Sequence, residues 1–298
     1  MTAHVTQLSQ QAKAATLVVE IVTEELPPKS LKTLGVAFAD TLAAELRRRS
    51  VLDDAAVATP YATPRRLAVA ITHVRTVAPD AEVVDKLMPA KVALDAQGQP
   101  SLALQRKLAS LGRAHLATSS LDAADGADAV HVASDGKADY VYLRTLAKGQ
   151  SLERALQEAL DVAIERLPIP KVMRYPARGG YYNDVAFVRP AHRLLALHGA
   201  DVVPVQALGL DAGNVTAGHR FLSRPDLAIA TADAYGPTLE AQGKVLPGFS
   251  QRRAVIADAL RAAANAATVI MRSCAGSSAS GRRCSRRERR REQLARGP

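Results

Sequence analysis

Cysteine and large aromatic side chains are scarce in this 298-residue sequence. Both cysteines, Cys274 and Cys284, lie near the C-terminus, so residues 1–273 offer no thiol for nucleophilic catalysis, for a disulfide or for a Cys-based metal site. This usage is typical of a reducing compartment. Trp is absent and aromatic residues make up 4% of the chain, so the core must be built from Ala, Leu and Val.

Long hydrophobic runs are also missing. No apolar stretch approaches the roughly 20 residues that a helix needs to cross a bilayer. The N-terminal sequence MTAHVTQLSQQAKAAT lacks the basic start and the apolar stretch of a signal peptide. We therefore expect a cytoplasmic protein with no membrane partner, in which residues 1–15 form a flexible extension.

The common motifs of nucleotide and metal chemistry are not found. The sequence has no Walker loop, no dinucleotide fingerprint, no HExxH pair and no CxxC pair. Its seven His residues are scattered, and no two of them stand at the i, i+4 spacing that places two ligands on one helix face. We therefore predict that the chain has no metal site.

Positive charge is concentrated at the C-terminus. The formal net charge is +10, and residues 272–298, with nine Arg and two Glu, carry +7 of it, which leaves +3 for residues 1–271. A segment with this charge and no apolar period is expected to be disordered. Two interpretations of this Arg-rich tail stay open: out-of-frame sequence after a frameshift or truncation, or an arm that binds nucleic acid without specificity.

A buried strand is predicted over residues 17–22, followed by an amphipathic helix. The helix is indicated by apolar residues at spacings of three and four, namely Leu31, Leu34, Phe38, Leu42 and Leu46. Pro27 and Pro28 fit its first turn, where backbone N–H groups have no intrahelical partner. Glu24 and Glu25 would then lie at the positive end of the helix dipole, and we interpret them as stabilising the helix rather than as an acid–base pair.

Strands and helices alternate along the rest of the chain. Predicted strands cover residues 65–72, a hairpin over 131–146 that turns at Asp135 and Gly136, and a strand pair over 192–208 that turns at 199–201. Predicted helices cover residues 101–111, 151–167 and 250–267, and irregular segments cover 171–190 and 216–221. The expected fold class is α+β, with mixed, largely antiparallel sheets and packed helices in two subdomains, residues 16–165 and 166–271.

Glu20 is the one carboxylate inside the first apolar strand. An unpaired carboxylate in a strand core would cost several kcal/mol and normally recruits a cation. Arg65 and Arg66, at the start of the next predicted strand, are its natural partners. We therefore expect a structural ion pair between Glu20 and Arg65 or Arg66.

Five short stretches together resemble a known family. They are VEIVTEELPP at 19–28, ATPRRLA at 62–68, IPKVMRY at 169–175, FVRP at 187–190 and GHRF at 218–221. In this order and spacing the sequence is similar to the β subunit of the bacterial heterotetrameric glycyl-tRNA synthetase, over about residues 15–270. It departs from that family at Val22, where the family has Gly, and at Tyr175 and Arg193, where the family usually has Trp. The family also continues beyond ATVIM into an HD-type helical domain and an anticodon-binding domain.

The resemblance implies a division of labour between subunits. Glycine would be activated with ATP on a separate α subunit of an α2β2 heterotetramer, while the β subunit engages glycine tRNA. This chain would then hold no catalytic residue and bind no cofactor of its own. The resemblance makes the basic residues of the matched stretches candidate tRNA contacts: Arg65, Arg66, Lys171, Arg174, Arg189, Arg193, His219 and Arg220.

Other interpretations remain open at this point. Each candidate residue could instead be structural and pair with Glu20, with Asp184 or with backbone carbonyls. The chain could be an inactive truncated fragment, or a module that binds the α subunit without competence for aminoacylation. It could also be a small basic RNA-binding protein unrelated to synthetases.

Overall fold

The computed structural model describes residues 14–95, 97–117, 128–134, 136, 138–176 and 184–278, with side chains up to residue 267. The strands are β1 Ala14–Thr23, β2 Ala58–Thr63, β3 Arg66–Arg75, β4 Ala81–Pro89, β5 Asp128–Ser134, β6 Asp139–Ala147, β7 Met173–Pro176, β8 Asp184–Phe187, β9 Ala191–His198, β10 Asp201–Val202, β11 Gln206–Ala207, β12 Leu210–Gly213, β13 Val215–Thr216 and β14 Leu227–Ala228. The helices are α1 Leu31–Arg48, α2 Ala90–Ala93, α3 Leu102–Ser110, α4 Leu152–Glu165, α5 Tyr235–Ala241 and α6 Phe249–Ser278. The predicted α+β class is confirmed.

A seven-stranded sheet is the largest element of the fold. Its order is β11-β12-β9-β1-β3-β2, with β10 paired to β9, and all pairs are antiparallel except β12 with β9. The central strand β1 therefore has one neighbour close in sequence, β3, and one distant neighbour, β9. The subdomain boundary predicted between residues 165 and 166 crosses this sheet, because β9 to β12 join strands from the first 75 residues.

Both faces of the large sheet are covered. On one face Leu17, Val19 and Ile21 of β1 pack in the main core, together with the apolar stripes of α1 and α4. All five predicted stripe residues of α1 are buried, so the periodicity of that helix is confirmed. On the other face Val18 packs in a second core with Tyr235 of α5.

A smaller sheet of three strands, β4-β6-β5, carries its own core. The predicted hairpin is confirmed as β5 and β6, which pair from Asp128 with Thr145 to Ser134 with Asp139; Asp135 of its predicted turn lies outside the described residues. Buried leucines of α3 pack against this sheet. The short helix predicted at 101–111 is therefore also confirmed.

Some local predictions differ from the structure. Residues 173–176 and 184–187, predicted to be irregular, form the antiparallel pair β7 and β8. Helix α6 continues to Ser278, so residues 272–278 of the tail predicted to be disordered are helical, and residues 279–298 lie outside the described residues. Of the extension predicted at residues 1–15, residues 14 and 15 belong to β1, and residues 1–13 lie outside the described residues. The Ala-rich sequence of α6 has high helix propensity, which carries the helix past the predicted end. Among the described residues, no helix combines the length and the hydrophobicity needed to cross a membrane.

Candidate nucleic-acid interface

The five motif stretches meet at one end of the large sheet. The end of β1 and the residue that follows it bridge two of the others: Thr23 N–H donates to the Arg65 carbonyl at 2.9 Å, and Glu24 N–H donates to the Pro190 carbonyl at 2.9 Å. A further stretch joins through Tyr175, whose hydroxyl accepts from Ala191 N–H at 3.1 Å. We call this region, residues 19–28, 62–68, 169–175, 187–193 and 216–226, the basic end.

Glu24 connects three parts of the basic end. Its carboxylate lies 3.0 Å from Arg65 Nη2 and 2.8 Å from His192 Nε2. The hydrogen bond from His192 is the main cause that lowers the pKa of Glu24, and the charges of Arg65 and Arg220 add to it. The helix-dipole interpretation of this residue is wrong, because α1 begins at Leu31 and has no acidic residue in its first turn.

Glu20 lies under the basic end and is fully buried. Arg66, also buried, places its Nε 3.1 Å from Glu20 Oε1. The hydroxyl of Tyr235 donates to the same oxygen at 2.8 Å. Burial, followed by the negative charge of Glu20, raises the pKa of Tyr235 well above its ordinary value, so the phenol remains a donor. The buried ion pair therefore involves Arg66, while Arg65 pairs with Glu24.

Two arginines fix the start of the loop that carries the GHRF stretch. Arg66 Nη2 donates to the carbonyl of Ala217, so the buried pair with Glu20 also holds the loop. Arg193 donates to the Thr216 carbonyl at 3.4 Å and to the Asp226 carboxylate at 2.5 Å. The candidates Arg66 and Arg193 thus have clear structural partners.

The loop itself has a defined conformation. His219 N–H donates to the carbonyl of Gly243 at 2.7 Å, and His219 Nδ1 accepts from Phe221 N–H at 3.2 Å. A side chain at Gly218 would place its Cβ 2.3 Å from Ser223 Oγ and 2.8 Å from the Cα of Gly243, so only glycine fits there. His219, Arg220 and Phe221 are exposed on this fixed loop.

Comparison with known proteins assigns the family. The sequence model of the family described as "Glycyl-tRNA synthetase beta subunit" matches residues 17–274. The chain belongs to this family. Curated glycine–tRNA ligase beta subunits match it at 46% identity over 261 residues in Ralstonia nicotianae, at 49% over 251 residues in Acidovorax ebreus and at 49% over 256 residues in Leptothrix cholodnii. These matches cover 86%, 84% and 84% of this chain but 36%, 34% and 34% of those proteins, so the chain spans about a third of the length of the curated relatives it matches.

The remaining candidates differ in how freely they reach solvent. Arg189 donates from Nε to the Glu25 carbonyl at 2.9 Å, which fixes the segment after β1. Lys171 and Arg174 are exposed at the start of the β7–β8 pair. In this member of the glycyl-tRNA synthetase β-subunit family, the candidates with the most open side chains are therefore Lys171, Arg174, His219 and Arg220.

The basic end carries an excess of positive charge. Its ranges contain eight Arg and Lys side chains against four carboxylates, an excess of four positive charges. Within the described part of the chain, no group of three or more His, Cys, Asp or Glu side chains could hold a metal ion. The chemistry that this surface offers is anion recognition by guanidinium and ammonium groups.

Sequence reasoning missed two side chains that contact carboxylates of the basic end, Tyr235 and His192. Tyr235 contacts Glu20 across 215 residues of sequence, and no local pattern indicates that contact. His192 is the second residue of β9 and is followed by Arg193, so no local pattern indicates its contact with Glu24.

Proposed function

We propose that this chain is the tRNA-engaging part of a glycine–tRNA ligase. In the proposed α2β2 assembly, glycine is activated with ATP on a separate α subunit, and this chain binds glycine tRNA without a cofactor of its own. The observation that carries the proposal is the assembly of five sequence-distant motif stretches into the basic end, which has an excess of four positive charges. Family membership supports the same assignment.

The geometry of the basic end suits the RNA backbone. Phosphate contacts need donors that are held in place yet open to solvent. Lys171 and Arg174 stand at the start of a strand pair, and Arg220 stands on a loop fixed by the contacts of His219 and Gly218. Arg65 and Arg66 instead maintain the framework, because their charges are matched by Glu24 and Glu20.

An α-subunit-binding module without aminoacylation competence is the second candidate function. Helix α6 favours it, because three of its apolar side chains, Val255, Ile256 and Leu260, are at least half exposed. Exposed apolar residues on one helix are typical of a protein interface. The two functions predict different ligands for this chain, RNA in one case and protein in the other.

The test is binding of glycine tRNA across a salt series. The triple variant Lys171→Ala/Arg174→Ala/Arg220→Ala should weaken binding and reduce the slope of log K against log salt by about 2 to 3, since each lost phosphate contact removes about one unit. The matched control is Lys91→Ala/Arg106→Ala/Lys107→Ala, which removes three exposed charges of α2 and α3 and should leave binding nearly unchanged. Equal losses in both triple variants would contradict the proposal.

A deletion of residues 279–298 separates the Arg-rich tail from the basic end in the same assay. If the tail binds RNA only through its charge, the deletion should lower the affinity for glycine tRNA and for a non-cognate tRNA equally. The effect of the triple variant at the basic end should persist in the shortened chain. Loss of the cognate preference on deletion would instead assign recognition to the tail.

A further inference from the structure

Phe221 has an exposure that folding does not explain. Its side chain is 85% exposed, the highest value among the large apolar side chains that the structure describes. The chain has four Phe residues in all, and two of them, Phe38 and Phe187, are fully buried in the core. The neighbouring Leu222 is 66% exposed, so the ring belongs to a small open apolar patch rather than standing alone. Such a patch forgoes the burial that would stabilise the fold, and it indicates a binding role.

The exposure of Phe221 is a property of a fixed loop. Its backbone N–H donates to His219 Nδ1, and the His219 ring supports it at a centroid distance of 6.2 Å. The loop is closed below by the His219–Gly243 backbone bond and by the close approach at Gly218. The ring is therefore presented to solvent before any ligand binds, which lowers the entropy lost on binding.

The surroundings of Phe221 are cationic. Arg220 and Arg224 flank it on the same loop and both are exposed. Arg220 is also close enough to Glu24 to lower the pKa of that carboxyl, which places it beside the rest of the basic end. An open aromatic ring on a loop that also carries two exposed arginines is the combination that binds single-stranded nucleic acid, because the base stacks on the ring while the cations neutralise the neighbouring phosphates.

We propose that Phe221 is a stacking platform for an unpaired base of RNA, with Arg220 and Arg224 on the adjoining phosphates. This inference rests on the proposed function. It adds that the loop binds a single-stranded nucleotide of the RNA rather than a paired stem. A base pair inside a helix keeps both its faces stacked on neighbours and has no face free for the ring. The excess positive charge of the basic end favours RNA over an apolar protein partner as the ligand.

Substitutions at Phe221 give the first test, with binding of glycine tRNA by the full 298-residue chain as the measurement. Phe221→Ala should weaken binding about 5- to 150-fold, the range found when a stacking aromatic is removed. Phe221→Tyr should bind like the parent, whereas Phe221→Leu should resemble Phe221→Ala because it keeps the apolar area but not the ring. The salt slope should not change in any of these variants, since Phe221 carries no charge, but it should fall by about one unit in Arg220→Ala.

The absence of Trp allows a direct second test. Phe221→Trp introduces the single tryptophan of the chain at the proposed platform, and its emission can be excited apart from that of Tyr. A single-stranded oligoribonucleotide should quench this emission while a blunt RNA duplex of equal length should not. Leu102→Trp, on α3 at a position that is 70% exposed, is the matched control and should not be quenched by either RNA. Equal quenching at both positions, or none at position 221, would overturn the stacking role.

The outcomes separate this inference from the proposed function. If the parent chain binds glycine tRNA but Phe221→Ala binds it equally well, the stacking role fails and the proposed function stands. If oligoribonucleotide quenches Phe221→Trp while the parent chain fails to bind glycine tRNA, the platform stands and the proposed function fails. If Phe221→Ala loses copurification with an α subunit that Phe221→Leu keeps, while both variants bind glycine tRNA as tightly as the parent chain, the loop is a protein-docking site and the inference is wrong.

Discussion

Glu20 and Arg66 form a charged pair in a place that water does not reach. Glu20 Oε2 and Arg66 Nη1 are both buried and have no hydrogen-bond partner among the described residues, so the desolvation of the pair is only partly compensated. Such a pair adds little net stability compared with apolar residues of the same shape. The pair instead fixes the position of the exposed loop, because Arg66 also donates a hydrogen bond to the carbonyl of Ala217.

Removal of one charge from this pair should be strongly destabilising. Glu20→Gln keeps the size of the side chain but leaves Arg66 buried without a counter-charge, and we expect it to lower the free energy of unfolding by about 3 to 5 kcal/mol. Urea denaturation followed by circular dichroism would measure this. The control Glu25→Gln, at an exposed position of the same segment, should change stability by less than about 0.5 kcal/mol.

A second comparison checks the cause of that loss. The double variant Glu20→Gln/Arg66→Met removes both charges and should recover part of the stability that Glu20→Gln loses, since no buried ion is left unpaired. A parent-like unfolding curve for Glu20→Gln together with loss of tRNA binding would show instead that Glu20 acts at the site and not in the framework.

At the residue scale, the sequence indicated that Glu20 needs a cation but did not indicate which residues contact it. The need of Glu20 for a cation followed from its place in an apolar strand, but the choice between Arg65 and Arg66 depends on which face each side chain occupies once β1 and β3 pair. In the structure Val22 lies opposite Arg66, which puts Arg66 on the same face as Glu20. The third member, Tyr235, comes from an unpredicted short helix and could not be foreseen from local pattern.

Helices α1 and α4 are joined by a network of charged residues at the edge of the main core. Arg49 lies 2.5 Å from Glu45 Oε2 and 3.1 Å from Glu158 Oε2, so it links the end of α1 to the middle of α4. Hydrogen bonds from Gln150, Arg154 and Arg49 lower the pKa of Glu158 to about 2. The network supplements the apolar contact between the two helices.

The α1–α4 network should make stability depend on pH in the acid range. The pKa of Glu158 falls from 4.5 in the unfolded chain to about 2 in the fold, so its contribution is present above about pH 4.5 and is lost as the pH falls toward 2. Glu158→Gln should lower the melting temperature at pH 7 by about 1 to 3 °C, a small effect because the side chain is 41% exposed. The difference from the parent should shrink between pH 4.5 and pH 3. Glu165→Gln, an exposed position of α4, is the control, and a difference that stays constant with pH would contradict the assignment.

At the element scale, hydrophobic periodicity predicted the elements that bury one face and missed those that are largely exposed. The stripe of α1 and the hairpin of β5 and β6 were found because each repeats over many residues. The start of α1 was misplaced: Glu24 and Leu26 donate their N–H groups to Pro190 and Pro64, which keeps the segment before Pro27 extended. Strand β4 was missed because its residues are largely exposed and a bulge between Lys86 and Met88 breaks the alternation.

At the scale of the whole molecule, our proposal predicts that this chain does not form glycyl-adenylate by itself. The purified chain alone should give glycine-dependent exchange between ATP and pyrophosphate at background level, because its sequence contains no phosphate-binding motif. Addition of an α subunit should restore exchange if activation takes place there. Activity of this chain without an α subunit, in a preparation free of that contaminant, would contradict the proposed division of roles.

At the scale of the whole molecule, the large sheet takes strands from both predicted subdomains, residues 16–165 and 166–271. A boundary near residue 165 follows naturally from the helix that ends there and the irregular composition of residues 171–190. The pairing of β1 with β9 crosses that boundary, since Thr23 lies beside Ala191. A contact between strands so far apart leaves no periodic signal in either, because each strand simply appears buried on both faces.

The strand order of the large sheet also delays part of its folding on the ribosome. Thr23 and its partner Ala191 are 168 residues apart, which at ordinary elongation rates of about 5 to 20 residues per second is a wait of about 8 to 34 seconds. During that interval β1 can pair with β3 but exposes its other edge, a hydrophobic strand with free backbone donors and acceptors. Nascent chains of this protein therefore expose an unpaired, aggregation-prone strand edge until β9 emerges from the exit tunnel. We expect the yield of the protein in the cell to depend on chaperones that bind such edges.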